Sequence, residues 1–270
     1  MIWLIFSILC SVIIFVVFHY LKVYQIDNLQ AIVVNYLTAF LLGQSQIGFS
    51  RSFTETSAQP WFPYVMALGV MFISLFMLMA WVSQTLGLAV VSVTVKMAVI
   101  MPVSFGIWYY QEQLNLARGI GIGLALLAVF LATYKPVKAK RNLKLVLYPL
   151  ILFLGSGLLD VLLKYNQAEY LSTAEQPWFA SIIFGTAGIL GLIAIIFRPK
   201  NKRSNWSLKS VAGGLALGIP NYGSIYFLLR ALDIPAIDSS IIFSLNNVGI
   251  VALSTLLGAW AFHQKLLRVN

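Results

Sequence analysis

Lys96 is the only charged residue between Leu86 and Trp108. An ammonium in apolar surroundings must find a counter-charge, hydrogen-bond partners or water, so the chemistry open to it is electrostatic. It can anchor an anionic group such as a carboxylate, or change partners between two conformations. A structural ion pair or a snorkelling stem would satisfy it too. Asp160 and Lys164 stand four apart in "LLDVLLKY", so a helix would put them on one face as an internal pair. If Lys164 reaches outward to the helix end instead, Asp160 needs another partner, and Lys96 is a candidate.

Amides and phenols form a second set. In "LGIPNYGSIYF", 217 to 227, Gly218, Pro220 and Gly223 interrupt an apolar pattern around Asn221 and Tyr222. A helix broken there would free backbone groups to bind a ligand, and Pro102 predicts a similar break six residues after Lys96. Asn35 and Tyr36 repeat the Asn-Tyr pair, and Asn246 and Asn247 add two more amides. Each alone suits hydrogen bonding between helices; with Lys96 they would line one polar cavity. Trp81, Gln84 and Trp108 are read as interfacial anchors.

Other chemistries are poorly supplied. Cys10 is the one cysteine and only His19 and His263 are present, so no metal site and no disulfide within the chain is expected, and Cys10 is read as helix packing. There is no HExxH pair, paired-aspartate motif or nucleophile elbow, and the eight acids leave little for acid/base work. Neither an enzyme nor a resident cofactor is expected. Glu112 and Arg118 are left as a surface pair or a helix cap.

The elements that would position these residues follow from composition. Hydrophobic residues make up 60% of the 270 and charged residues 10%, a balance that marks an integral membrane protein. Apolar stretches near the ~20 residues that cross a bilayer predict helices at about 3–19, 29–44, 62–83, 86–109, 117–134, 145–164, 178–197, 210–231 and 238–262. The opening "MIWLIFSILC" has no basic region before it and reads as a retained helix, not a signal peptide. "QPWF" occurs at 59–62 and 176–179, with proline suited to a first turn and tryptophan to the headgroup layer. The two copies precede helices three and seven and are not read as the internal repeat.

A better internal match sets "YQEQLNLARG", 110–119, against "FHQKLLRVN", 262–270, and "QTLGLAVVS" against "RALDIPAID". It implies two halves, 1–134 and 145–270, joined by a basic loop at 135–144. Five helices per half is an odd number, so the second would be inverted. On that reading one side gathers Lys22, Lys135, Lys138, Lys140, Arg141, Lys144, Arg198, Lys200, Lys202, Arg203, Lys209, Lys265 and Arg268 against the acid Asp27. The other holds Arg51, Arg118 and Arg230 with Glu55, Glu112, Glu169, Glu175, Asp233 and Asp238. The basic side should be cytoplasmic. The clusters lack interleaved aromatics, so the net charge of +10 is a topology signal and no nucleic acid is expected. After "KLLRVN" a tenth helix is expected and missing, as in a truncated chain.

The segment "VVSVTVKMAVIMPVSFGIWYYQEQLNLARGIGIGLALLAVFLATYKP" resembles the fourth and fifth helices of the drug/metabolite transporter superfamily, in its ten-helix EamA-like branch. The shared features are a small-residue entry, a mid-helix proline, a closing glutamate and a Gly-rich next helix. The resemblance covers essentially the whole chain. It departs from the family in the tenth helix, in Gln264 standing where the first half has Glu112, and in a charge tally that puts the N-terminus outside. What it implies is an all-α, multi-pass bundle of two inverted halves in the inner (plasma) membrane, as a monomer or homodimer. Such a bundle moves small-molecule metabolites such as amino acids by alternating access, with export expected. Proton coupling is expected from the scarcity of acidic sodium-type clusters.

Overall fold

The computed structural model describes residues 1–85, 94–112, 119–120, 123–124, 127, 143–199, 206–235 and 237–261. Among them every regular element is a helix: α1 (Ile2–Val23), α2 (Asn28–Gln46), α3 (Phe53–Ser57), α4 (Phe62–Thr85), α5 (Ile100–Tyr109), α6 (Leu143–Glu169), α7 (Gln176–Ile196), α8 (Leu208–Leu232) and α9 (Ser239–Ala261). Eight of the sequence-derived helices reappear with shifted ends. Most of 86–93 and 117–134, with Gln84's side chain, Arg118 and the "FHQKLLRVN" arm, lies outside the described residues.

Local chemistry sets several ends. Asp27 starts α2 by accepting from the amides of Leu29 and Gln30 at 3.0 and 3.3 Å. Ser207 starts α8 by accepting from Ser210 at 3.0 Å. These caps satisfy amides that a helix leaves without internal partners. The short α3, which apolar periodicity does not predict, is held by a capping box in which Ser52 and Glu55 exchange side-chain and backbone bonds.

The bundle is organised by α2, which packs on α7 and α8. Helix α8 also packs on α1, α4 on α6 and α7, α5 on α6 and α9, and α1 on α9. Gly214 and Gly218, four apart on α8, allow the α2 crossing. A Cβ at Gly218 would stand 2.6 Å from Thr38 Cβ and 2.7 Å from the Asn35 carbonyl oxygen; one at Gly214 would stand 2.4 Å from Val34 Cβ. Paired small residues of this kind bring helix backbones close. Cys10 packs where a Cβ at Gly223 would sit, which is the packing role expected of it.

The main core gathers Tyr36, Trp61, Phe72, Trp178, Phe179, Phe184 and Tyr222; a second, around Leu4, Val103, Leu228 and Phe243, joins α1, α5, α8 and α9. Apolar side chains also point outward, as with Ile5, Leu9 and Ile13 on α1 and Leu150, Leu154 and Leu158 on α6. Three stretches, Phe62–Met79, Leu147–Glu169 and Gln176–Ile196, are long and apolar enough to cross a membrane.

Candidate functional site

Lys96 sits where its helix changes pitch. Residues 94–97 form a helical turn, 98 and 99 a tighter one, and α5 begins at Ile100. The amide of Val99 donates to the Lys96 carbonyl at 3.4 Å and that of Met101 to the Ala98 carbonyl at 3.0 Å, both at three-residue spacing. Pro102 is the cause, since it has no N–H for the Ala98 carbonyl, which takes Met101 instead. The break expected at Pro102 is thus present, one turn upstream and directly after Lys96.

The Lys96 side chain is buried at 8% exposure, and it interacts electrostatically with Asp160 on the neighbouring α6. The internal pair expected of Asp160 and Lys164 is not made. Helix α6 runs on to Glu169, so Lys164 lies inside it rather than at its end. There it donates to Gln167 Oε1 at 3.0 Å and stands 5.2 Å from the Tyr110 ring centroid.

The two Asn-Tyr pairs meet at the α2–α8 crossing. Asn221 Nδ2 donates to Asn35 Oδ1 at 3.0 Å. Tyr36 and Tyr222 flank Phe184, with centroids 6.1 and 6.4 Å from it. Phe72 and Phe76 close the same group, 5.6 Å from Phe184 and from Tyr36 respectively. Tyr226 stacks on Tyr222 at 5.8 Å. Within this aromatic enclosure Asn35 Nδ2 and the hydroxyls of Tyr36 and Tyr222 are buried without a hydrogen-bond partner among the described residues. Buried polar groups normally have partners, and three atoms at this crossing lack one among the described residues. Leu159, next to Asp160, packs both on the core that holds Tyr36 and Tyr222 and on the cluster containing Val95, next to Lys96.

Other expectations are corrected. Helix α8 is continuous through Gly218 and Pro220, so the expected break does not occur: the glycines serve close packing, and a proline costs one hydrogen bond without ending a helix clamped by neighbours. Asn247, buried on α9, bonds its own helix at the Phe243 carbonyl, 3.0 Å away, whereas Asn246 beside it is buried with its Oδ1 unpartnered among the described residues. Trp61 and Trp178 are not headgroup anchors. Both are buried, their rings meet edge-on at 5.0 Å, and Arg51 lies 4.9 Å over Trp178. The two "QPWF" copies thus close one end of the bundle together. Trp108, at 73% exposure, does face outward.

Glu112 caps a neighbouring helix rather than its own. Its carboxylate accepts from the amides of Ser239 and Ser240 at 2.9 and 3.1 Å and from the Ser239 hydroxyl, so the end of α5 caps the start of α9. Burial pushes this carboxyl up, but the bonds from Ser239 and Ser240 outweigh it and hold it below the ordinary carboxylate value. Sequence reasoning also missed Phe72, Phe76, Phe184 and Tyr226, because aromatic residues are ordinary in apolar helices and only their convergence is informative.

No family model matches the chain. A crystal structure described only as that of a protein superimposes with a TM-score of 0.74 over 99% of this chain and 89% of that one, at 15% identity, a likeness of fold. An uncharacterized protein of Haemophilus influenzae is 30% identical over 275 residues, spanning 99% of this chain and 91% of its own length. At that identity and coverage, the chain belongs to the same family as the Haemophilus influenzae protein.

Proposed function

We propose that the chain is a multi-pass inner-membrane transporter that moves small metabolites, amino-acid-like solutes foremost, by alternating access, as the resemblance to the EamA-like branch of the drug/metabolite transporters implies. The observation that carries the reading is the burial of the Lys96 ammonium among apolar helices within electrostatic reach of Asp160 on α6, in a bundle whose α2–α8 crossing holds unpartnered amide and phenol groups. A central lysine costs ~2.5–3.5 kcal/mol on insertion scales, and such charges normally face a bundle interior or a wet path. Lys96 would take an anionic substrate group, Asp160 would hold it in the empty state, and the Asn35, Tyr36, Asn221 and Tyr222 groups would complete the site.

Packing supports two inverted halves. Exchanging α1 with α6, α2 with α7, α4 with α8 and α5 with α9 turns α1–α8 into α6–α4, α2–α8 into α7–α4 and α1–α9 into α6–α5, while α2–α7 and α5–α9 map onto themselves; all of these pairs are in contact. The outward apolar faces of α1 and α6 support the bilayer as partner.

The test is efflux of a panel of radiolabelled amino acids from cells overexpressing the protein, with Lys96→Ala, Asp160→Ala and the charge-swapped double variant. Loss in both single variants and partial recovery in the swap is expected. Full transport by both single variants at normal membrane abundance overturns the site. Collapsing the proton gradient with an uncoupler should abolish active transport.

A further inference from the structure

The helix contacts sort the bundle into two layers. Helices α4, α5, α6 and α7 pack among themselves, as α1, α2, α8 and α9 do, and the layers meet through α2–α7, α7–α8, α6–α8 and α5–α9. At the acidic end, polar groups that bridge the layers gather around one lysine. Lys164 of α6 donates to Gln167 Oε1 at 3.0 Å, and Gln167 Nε2 donates across the layers to Asp233 Oδ1, just after α8, at 3.3 Å. Thr173 donates to the other oxygen of Asp233. An ammonium and a carboxylate are thus joined through a single amide, which is 5% exposed. Glu112, which crosses the layers to cap α9, is within electrostatic reach of Lys164, and so are Asp233 and Glu169. The other cations described at this end, Arg51 and Arg230, lie over the Trp178 and Trp3 rings at 4.9 and 5.0 Å. Lys164 is therefore the cation that faces all three acids.

We propose that Lys164, Gln167 and Asp233 form the gate of the acidic end, closing α6 on α8 and so shutting the path between the two layers on that side. The inference rests on the transport reading above. Lys164 and Asp233 act as positioning residues: they hold the layers together and touch no substrate. The arrangement suits a gate better than a permanent clamp because Lys164 has partners in reserve on its own layer. When α8 swings away with Asp233, Glu169 on α6 and Glu112 after α5 stay within reach of the ammonium. Opening therefore leaves no charge stranded among apolar side chains, the outcome that makes breaking a buried pair costly. Without Lys164 the three acids would converge with no counter-charge, and their repulsion would favour the open end.

The experiment places a reporter cysteine at Leu229, a buried position one turn inward of Asp233, in a Cys10→Ser background, and times its labelling by a membrane-impermeant maleimide added to intact cells. Lys164→Glu, Asp233→Lys and Gln167→Leu should each speed labelling about tenfold, the lower end of what a hydrogen bond to a charged group is worth. The Lys164→Glu/Asp233→Lys double variant should return most of the way to the reference rate. The Gln167 amide has both donors and an acceptor, so it can bridge the reversed charges by turning over. A merely damaged fold would also label faster, but a second charge reversal would not repair it. Unchanged labelling in the single variants, or a double variant as fast as either charge reversal alone, overturns the gate. Amino-acid efflux measured alongside separates the two readings. Wild type that moves no amino acid fails the transport reading and the gate with it, whereas wild type that transports while its labelling ignores all three substitutions fails the gate alone.

Discussion

The two ends of the bundle are fastened by different means. At the acidic end, Glu112 caps α9 from the end of α5. Asp233 after α8 takes Gln167 of α6 at 3.3 Å and Thr173 beyond it, Lys164 lies over Tyr110, and Trp61 packs on Trp178 beneath Arg51. At the basic end, the Asp27–Arg198 pair crosses elements beside an open cleft, Trp81 of α4 packs on Tyr148 of α6 at 4.2 Å, and Leu21, Ala31 and Leu217 join α1, α2 and α8. Buried caps and aromatic contacts lose much when they separate, whereas a partly exposed ion pair loses little. The acidic end is thus held by polar caps as well as packing, and the basic end by packing and one partly exposed ion pair.

If α2 and α8 are the pivot between the ends, disturbing their crossing should damage both. Gly218→Val would press a branched side chain against Thr38 and the Asn35 carbonyl, and overpacking of this kind costs ~1–3 kcal/mol or more. A large drop in melting temperature is expected, with cysteine probes at both ends becoming accessible together. Exposure at one end alone would show that the crossing is not shared.

The Glu112 cap should be the next largest effect. Glu112→Ala leaves the α9 amides uncapped, a loss of ~0.5–2 kcal/mol by comparison with other N-caps, and should raise labelling of a cysteine at Ser240 while leaving one at Lys209 unchanged. Equal labelling with and without Glu112 would remove it as a latch. Arg198→Ala, by contrast, should cost only ~0–1 kcal/mol, and less at high salt.

How much of this was legible in the sequence differs between the ends and the middle. Helix positions were readable because apolar runs of bilayer length need no tertiary information; their ends moved where caps such as Asp27 and Ser207 act through geometry. Pro102 marked a real break, yet Pro220 did not, because the packing of Gly214 and Gly218 on α2 holds that helix together, and packing partners are not written in periodicity. The meeting of Asn35 with Asn221 was open only as a shared cavity. The pairing of Trp61 with Trp178, and of Glu112 with Ser239, could not be read at all, since each joins residues more than a hundred apart.

The smallest effect is the most specific to the Glu112 cap. The Glu112 carboxyl titrates below its ordinary value in the folded chain, so its contribution is fully present above the unfolded carboxylate value, ~4.3, and fades as pH falls through the lower folded value. Wild type should therefore exceed Glu112→Gln in melting temperature at pH 6 and approach it below pH ~4, where protonation makes the two side chains near equivalents. The Asp27–Arg198 end gives a control: in Asp27→Asn the Glu112-dependent difference should persist, because the two fastenings share no residue and distant effects add. A difference between wild type and Glu112→Gln that stays constant with pH would mean that shape, not charge, caps α9, and the acidic end would then be held by packing around Trp61 and Trp178 instead.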